Sequence, residues 1–362
     1  MFSKANIAGM LAALVLWASP AYAAPLYSIT ALPANTYAHA INNAGQVVGD
    51  VGVDGEGHAF IWSAGVLTDL GAVGNMSSAR AISSNGLVAG YTRSSEQSHA
   101  FLHDGSGMVP LGTLGGANSF GLGVNAAGQV AGQSNNAAGD FRGFLFSDGQ
   151  MRDIGTLGGD FALATAINNA GQVVGESSLS LEPGPASPVH AFIYENDAMR
   201  DLGTLGGSLS SAAAINEAGQ VAGHSYTVGS VEHAFLYTDG IMIDLGTLGG
   251  GRSFAYGLNG LGQVVGTSGL AGDFDSRAFL YSAGAMTDLN SLIDPASGWV
   301  LHEARGINDM GQIAAFGCMG DNCQALLLEV VPQIPEPGTA LLMLAGLGVL
   351  AARRASAASR RA

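Results

Sequence analysis

Eleven carboxylates sit where the chain varies most: Asp50, Asp54, Glu56, Glu96, Asp140, Glu176, Glu182, Glu232, Asp273, Asp275 and Asp321. Carboxylates offer two chemistries. Several oxygens around one point hold a hard cation such as Ca²⁺, and two carboxyls flanking a glycosidic bond can cleave it. Asp273 and Asp275, in TSGLAGDFDS, are the best local pair for a cation, which makes Ca²⁺ the one cofactor to consider. No pair stands out by spacing for glycoside cleavage, and neither a Ser-His-Asp order nor a His-Glu zinc pattern appears. A solvated acidic surface that keeps the protein soluble explains the same residues without a ligand.

The histidines ask for a different reading. His58, His99, His190 and His233 occupy one position of a recurring phrase, and the other copies carry Arg142, Arg277 and Gln324 there. A metal site would not survive exchange of His for Arg, whereas all these side chains donate hydrogen bonds. The position is therefore expected to tie strands or blades together. The recurring GTLGG resembles a phosphate-gripping loop, but such a loop needs a helix behind it. Here another strand pattern follows, so the glycines are assigned to turns and close packing.

What must position these residues is a repeat. INNAGQVVG and its variants occur seven times, with turn glycines Gly45, Gly86, Gly128, Gly171, Gly219, Gly262 and Gly311 spaced 41 to 49 residues apart. HAFLY and its variants also occur seven times; DLGTLGG and its variants occur six times. The Asn series, Asn42, Asn125, Asn168, Asn216, Asn259 and Asn308, with Ser83 in the second copy, reads as turn chemistry. Each unit offers four strands: one into the Asn, one from GQVVG, one at HAFLY and one at DLGTL. Two-residue turns such as Asp148-Gly149 and Asp239-Gly240 join the last two.

The missing seventh copy of the last strand has a candidate at the other end, LYSITALPAN from Leu26 to Asn35. A chain that begins with the strand its final unit lacks is what closing a ring requires. The predicted fold is all-β, a seven-bladed β-propeller of four-stranded repeats closed by the N-terminal strand, over residues 24–331. An open β-solenoid is the runner-up. In the propeller, the variable connections from second to third strand lie on one face with the links between repeats, and their carboxylates would make that face acidic.

Composition agrees. The chain of 362 residues has 55 glycines and only 11% charged residues, with short apolar runs between turn residues. Thirteen basic against twenty-eight acidic residues give a net charge of -15, the wrong sign for nucleic acid. Lys4 is the only lysine, so no Schiff-base lysine is available in the repeats.

The two ends read differently. Residues 1–23 carry Lys4, an apolar run from Ile7 to Trp17 and a small-residue cleavage site at Ala21 and Ala23, the pattern of an export signal. A membrane anchor is the alternative there, but the run falls short of the roughly 20 residues that span a bilayer. Export makes a disulfide between Cys318 and Cys323 the expectation. After Val331 come a Pro-rich linker, 332–337, and then residues 338–362, an apolar stretch ending in Arg353, Arg354, Arg360 and Arg361. This reads as a short membrane helix with a cytoplasmic basic end.

The Pro335-Glu336-Pro337 triplet, the short apolar helix and the terminal arginines resemble the PEP-CTERM sorting signal of bacterial exported proteins. The resemblance implies recognition of Pro335, Glu336 and Pro337 by an exosortase, a membrane processing enzyme of bacteria that make extracellular polysaccharide. It implies a surface or extracellular destination after transient anchoring in the inner membrane. The repeats are similar to the HAF family of extracellular repeats, which brings no activity with it. Together these features lead to an expectation of a non-enzymatic binding or structural protein, with exopolysaccharide, envelope material or another protein as partner. The competing expectation is a secreted carbohydrate-active enzyme, a glycosidase or lyase, using the loop carboxylates.

Overall fold

The computed structural model describes residues 26–53, 55–179, 188–272 and 275–332. The compact unit is Leu26–Pro332. It is all-β and propeller-like, built from four-stranded antiparallel sheets in which strands neighbour one another in chain order. In the fifth repeat the strands are Gly206–Ile215, Val221–Thr227, Glu232–Thr238 and Ile241–Asp244. The fourth and fifth repeats are joined into one eight-stranded sheet by a parallel bridge, Val189 to Leu209.

The last repeat is completed from the other end of the chain. Its own strands are Val300–Ile307, Ile313–Met319 and Asn322–Val330, and Tyr27–Ala31 pairs antiparallel with the third of them, Tyr27 opposite Val330 and Ala31 opposite Leu326. The expected closing strand is therefore present. Gln324, at the histidine position of this repeat, donates from Nε2 to Leu32 O at 2.8 Å and so fixes the end of that strand.

Turn residues act as their types dictate. Asp148 and Gly149, with φ of 53° and 76°, and Asp239 and Gly240, with 53° and 79°, have the paired positive φ of a tight hairpin. One expectation needs correction: the fourth strand stops at the Asp of DLGTL. Asp244 Oδ1 accepts the amide of Gly246 at 2.7 Å, and Gly246 has φ of 69°, so the chain bends there. Thr247 continues the bend by accepting the amide of Gly249, and the last two glycines already belong to the next repeat's first strand, Gly249–Leu258.

The core lies between neighbouring sheets. Phe60, Phe101, Phe144, Phe192, Phe235 and Phe279, the aromatic residues of the HAF phrase, are at most 1% exposed. Phe235, for example, packs in one cluster with Val174, Ala191 and Ile193 of the preceding repeat. A serine within several first strands binds sheets together: Ser253 accepts the amide of Ala234 at 2.8 Å and donates to Gly246 O at 2.6 Å. Ser77, Ser119 and Ser210 do the same in the second, third and fifth repeats.

A β-bulge interrupts every first strand at the same place. In the first repeat Ala38 opposes Gly49 and Ala40 opposes Val48, leaving His39 as the extra residue. The equivalent residues are Arg80, Leu122, Thr165, Ala213, Tyr256 and Arg305. The partner strand must approach closely at this point, which explains the glycine of GQVVG: a Cβ on Gly266 would lie 1.9 Å from Phe254 O.

Candidate functional site

A bulge re-aims the side chain it carries. Here seven bulges direct seven side chains into one central cavity of about 290 Å³, lined by His39, Arg80, Leu122, Thr165, Ala213, Tyr256 and Arg305. Its floor is a collar of aliphatic residues, Ile41, Ile82, Val124, Ile167, Ile215, Leu258 and Ile307, which also line a second cavity of about 220 Å³ on the far side, among the Asn turns. The collar separates a mouth of charged and aromatic groups from a mouth of amides.

The amide mouth is structural. Each belt Asn accepts backbone amides of its own turn and donates from Nδ2 to the carbonyl of the equivalent residue in the next repeat: Asn168 to Asn216 O, Asn216 to Asn259 O, Asn259 to Asn308 O, and Asn308 back to Asn42 O, at 3.0 to 3.1 Å. Ser83 cannot reach so far. There Asn85 Nδ2 donates to Ala126 O instead. The Asn series thus does more than shape turns.

The other mouth is chemically richer. Arg305 is held by Glu303, with Nε and Nη2 at 2.8 and 2.6 Å from Oε2, and its guanidinium lies 4.2 Å from the ring centre of Tyr256. Tyr37 donates to the same Glu303 oxygen, and burial with this bond pushes the phenol pKa well above its usual value. Arg80 Nη1 lies 3.1 Å from His39 Nε2, which is itself 2.9 Å from Asp50 Oδ2. Burial holds the His39 pKa below the ordinary imidazole value; Asp50 opposes this, while Arg80 and Arg305 add to it. Behind the wall, burial raises the Glu176 carboxyl, partly offset by its hydrogen bond with Ser211.

His224, edge-on to Phe254, is lowered by burial to a pKa of about 4. Its folded pKa lies below the unfolded value near 6.5, so the unfolded chain takes up the proton first as pH falls. Stability is expected to hold above about pH 6.5 and to decline between about 6.5 and 4, levelling below that. A melting-temperature series against pH checks this: His224→Phe removes part of the decline, and an unchanged slope refutes the assignment.

The histidines of the HAF phrase lie outside the cavity. His58, His190 and His233 pair through Nδ1 with Asp69, Asp201 and Asp244 at 2.8 to 2.9 Å, joining third strand to fourth. Arg142 stands 3.6 Å from Asp153 in the same way. In the second repeat Pro110 replaces the aspartate.

The carboxylates do not share one role. Glu56, Glu96, Asp140 and Asp321 are exposed. Asp50 and Glu176, expected in loops, belong instead to the strands Val47–Val53 and Val173–Ser178, because each second strand runs several residues beyond its GQVVG phrase. Asp275 lies 3.9 Å from Arg277. Asp54, Glu182 and Asp273 fall outside the described residues, so the Asp273 and Asp275 cation site has only one member on view. Among the described residues no group of three or more His, Cys, Asp or Glu side chains is arranged around a metal position. Cys318 and Cys323, opposite each other in the last hairpin, form a disulfide.

Sequence reasoning missed the cavity because it sought variation in loops. The signal lies inside the strands: three positions before the belt Asn, the column reads His, Arg, Leu, Thr, Ala, Tyr, Arg, while the residue directly before the Asn is always aliphatic.

Comparison with solved structures places the fold among known ones. The chain is similar to an oligogalacturonate lyase from Vibrio parahaemolyticus (TM-score 0.57, 11% identity, 84% of this chain and 94% of that one). It is also similar to a puromycin-hydrolyzing peptidase of Mycobacterium tuberculosis (TM-score 0.52, 14% identity), covering 83% of this chain but 54% of the peptidase. TolB from Acinetobacter baumannii aligns with a TM-score of 0.46 at 12% identity, with 68% of this chain and 62% of TolB covered. At these identities the likeness concerns the fold alone. No curated protein matches the chain.

Residues 333–361 match the PEP-CTERM protein-sorting motif, which marks the chain for export, exosortase processing and surface sorting. Pro335, Glu336, Pro337, Arg353, Arg354, Arg360 and Arg361 fall within it. That segment, the expected membrane helix in it, and the signal segment with Ala21 and Ala23 lie outside the described residues. No helix among the described residues is long and apolar enough to cross a membrane.

Proposed function

We propose that this protein is a seven-bladed β-propeller of the HAF-repeat type, exported and sorted by an exosortase to the cell surface or extracellular matrix, where it binds a partner without catalysis. The observation that carries the reading is the sorting motif at 333–361, which begins just beyond the compact unit ending at Pro332. The pairing of Tyr27–Ala31 with the last repeat and the hydrogen bond from Asn308 to Asn42 O support ring closure. The partner proposed is exopolysaccharide or envelope material.

Export and processing are tested together in an exosortase-bearing host. The full chain is expected to lose its tail, so that the intact mass of the recovered protein ends near residue 335. A Pro335→Ala, Glu336→Ala double variant is expected to keep the tail. Equal masses for the two would reject the reading.

A further inference from the structure

We propose that the central cavity is a binding site for the end of an acidic glycan, with Arg80 and Arg305 holding the carboxylate of one uronic-acid residue. This names a ligand class for the binding role proposed above and rests on that reading.

Charge placement is the first reason. The chain carries -15 overall, yet two arginines stand at bulge positions on the cavity wall. The fold does not require them there, since Leu122, Thr165 and Ala213 occupy the same position in other repeats. Glu303, which pairs with Arg305, and Asp50, which pairs with His39, are not among the residues that line the cavity. Among the described residues no carboxylate lies within salt-bridge distance of Arg80, whose hydrogen-bond neighbour is His39. A guanidinium is a planar fork of donors that suits a carboxylate. Glu303 and the Tyr256 ring hold Arg305 in place, so little ordering remains to be done on binding.

Shape is the second. The aliphatic collar bounds the cavity below, so the polar groups that can hold a ligand are gathered on its upper side. At about 290 Å³ the space lies at the lower limit for small-molecule sites, right for one sugar unit. Tyr256 is also a wall of an adjoining cavity of about 550 Å³, which contains Arg252, Phe254 and Thr267. An aromatic wall shared by two cavities, each with an arginine, accommodates a second acidic unit next to the first. Free phosphate would satisfy the guanidiniums but leave this second space empty.

Calorimetric titration of the full chain with glucuronate, galacturonate, glucose and inorganic phosphate tests the assignment. At least one uronate is expected to bind about tenfold or more tighter than glucose and phosphate, and Arg80→Gln or Arg305→Gln to weaken it about tenfold, the loss of a charge-assisted pair. Ala213→Phe, which fills the cavity without touching an ion pair, is expected to abolish binding while the melting temperature is retained; it serves if the arginine variants fold poorly. Phosphate binding as well as uronate would reassign the site to a free anion. Absent uronate binding, or binding unaffected by all three variants, would overturn the proposal, and neither result would alter the tail-processing outcome that tests export.

Discussion

A chain that begins at Pro33 is expected to lose most of its stability and to self-associate, whereas one that begins at Leu26 folds normally. The deleted strand closes the last repeat. It supplies five register pairs to Asn322–Val330, and its flanks add Leu32 N to Ala325 O at 3.0 Å and Val331 N to Leu26 O at 2.8 Å. Tyr27 and Leu32 are 4% and 1% exposed, and Ile29 packs on the same cluster as Tyr27. Each fully buried side chain of this kind contributes roughly 1.5–3 kcal/mol. Losing two or three approaches the roughly 5–15 kcal/mol that holds a whole domain folded.

The deletion also bares the edge of Asn322–Val330, whose Leu326, Leu327 and Leu328 would be flanked by unpaired backbone groups, a template for aggregation. Denaturant melts and size-exclusion profiles of the two chains decide the matter. Leu32→Ala gives the milder version, about 2–5 kcal/mol. Equal melts for the Leu26 and Pro33 chains would mean that the ring is not closed in this way.

The second large effect is expected at the belt. Asn308, 3% exposed, donates from Nδ2 to Asn42 O at 3.0 Å and to Gln312 Oε1 at 2.8 Å, and its Oδ1 accepts the amides of Met310 and Gln312. Asn308→Ala removes all four at once and leaves the part-buried amides of Met310 and Gln312 without this partner, while Asn42 O keeps the amide of Gly45; each such loss costs about 1–3 kcal/mol. A total of about 3–5 kcal/mol is expected from the same principle, with the cost shared between turn and closure.

Asn308→Ser separates the two parts. Ser83 shows how: its Oγ accepts the amide of Leu87 at 2.9 Å, keeping the turn, but makes no link to the next repeat. The serine variant should therefore recover roughly half of the loss, on the order of 2 kcal/mol. Chemical denaturation of the two variants beside the parent gives the comparison. If serine and alanine cost the same, the link from Asn308 to Asn42 contributes all of the effect and the turn contributes none.

Much of the architecture was readable because it depends on neighbours in sequence. Asp148-Gly149 and Asp239-Gly240 make hairpins by their own φ preferences, and the HAF histidine meets an aspartate eleven residues on because a tight turn folds one strand against the next. The last strand missing after Gln324 to Leu328 pointed to Leu26 to Asn35. DLGTL reads as a strand from its apolar pattern and its Thr, but the side chain of Asp244 captures the amide of Gly246 and bends the chain.

The repeat, its count of phrases, its turns and its closing segment were thus determined by the sequence itself, since each follows from local conformational preference and periodic pattern. Which side chains meet was decided only by the tertiary structure. A bulge adds one residue to a strand and reverses the inside-outside alternation beyond it, and whether one forms depends on how closely a partner strand approaches. That approach is a property of the packed sheet, so the gathering of His39 and Arg80 from the first two repeats with Tyr256 and Arg305 from the last two around one cavity became visible only when the ring was assembled.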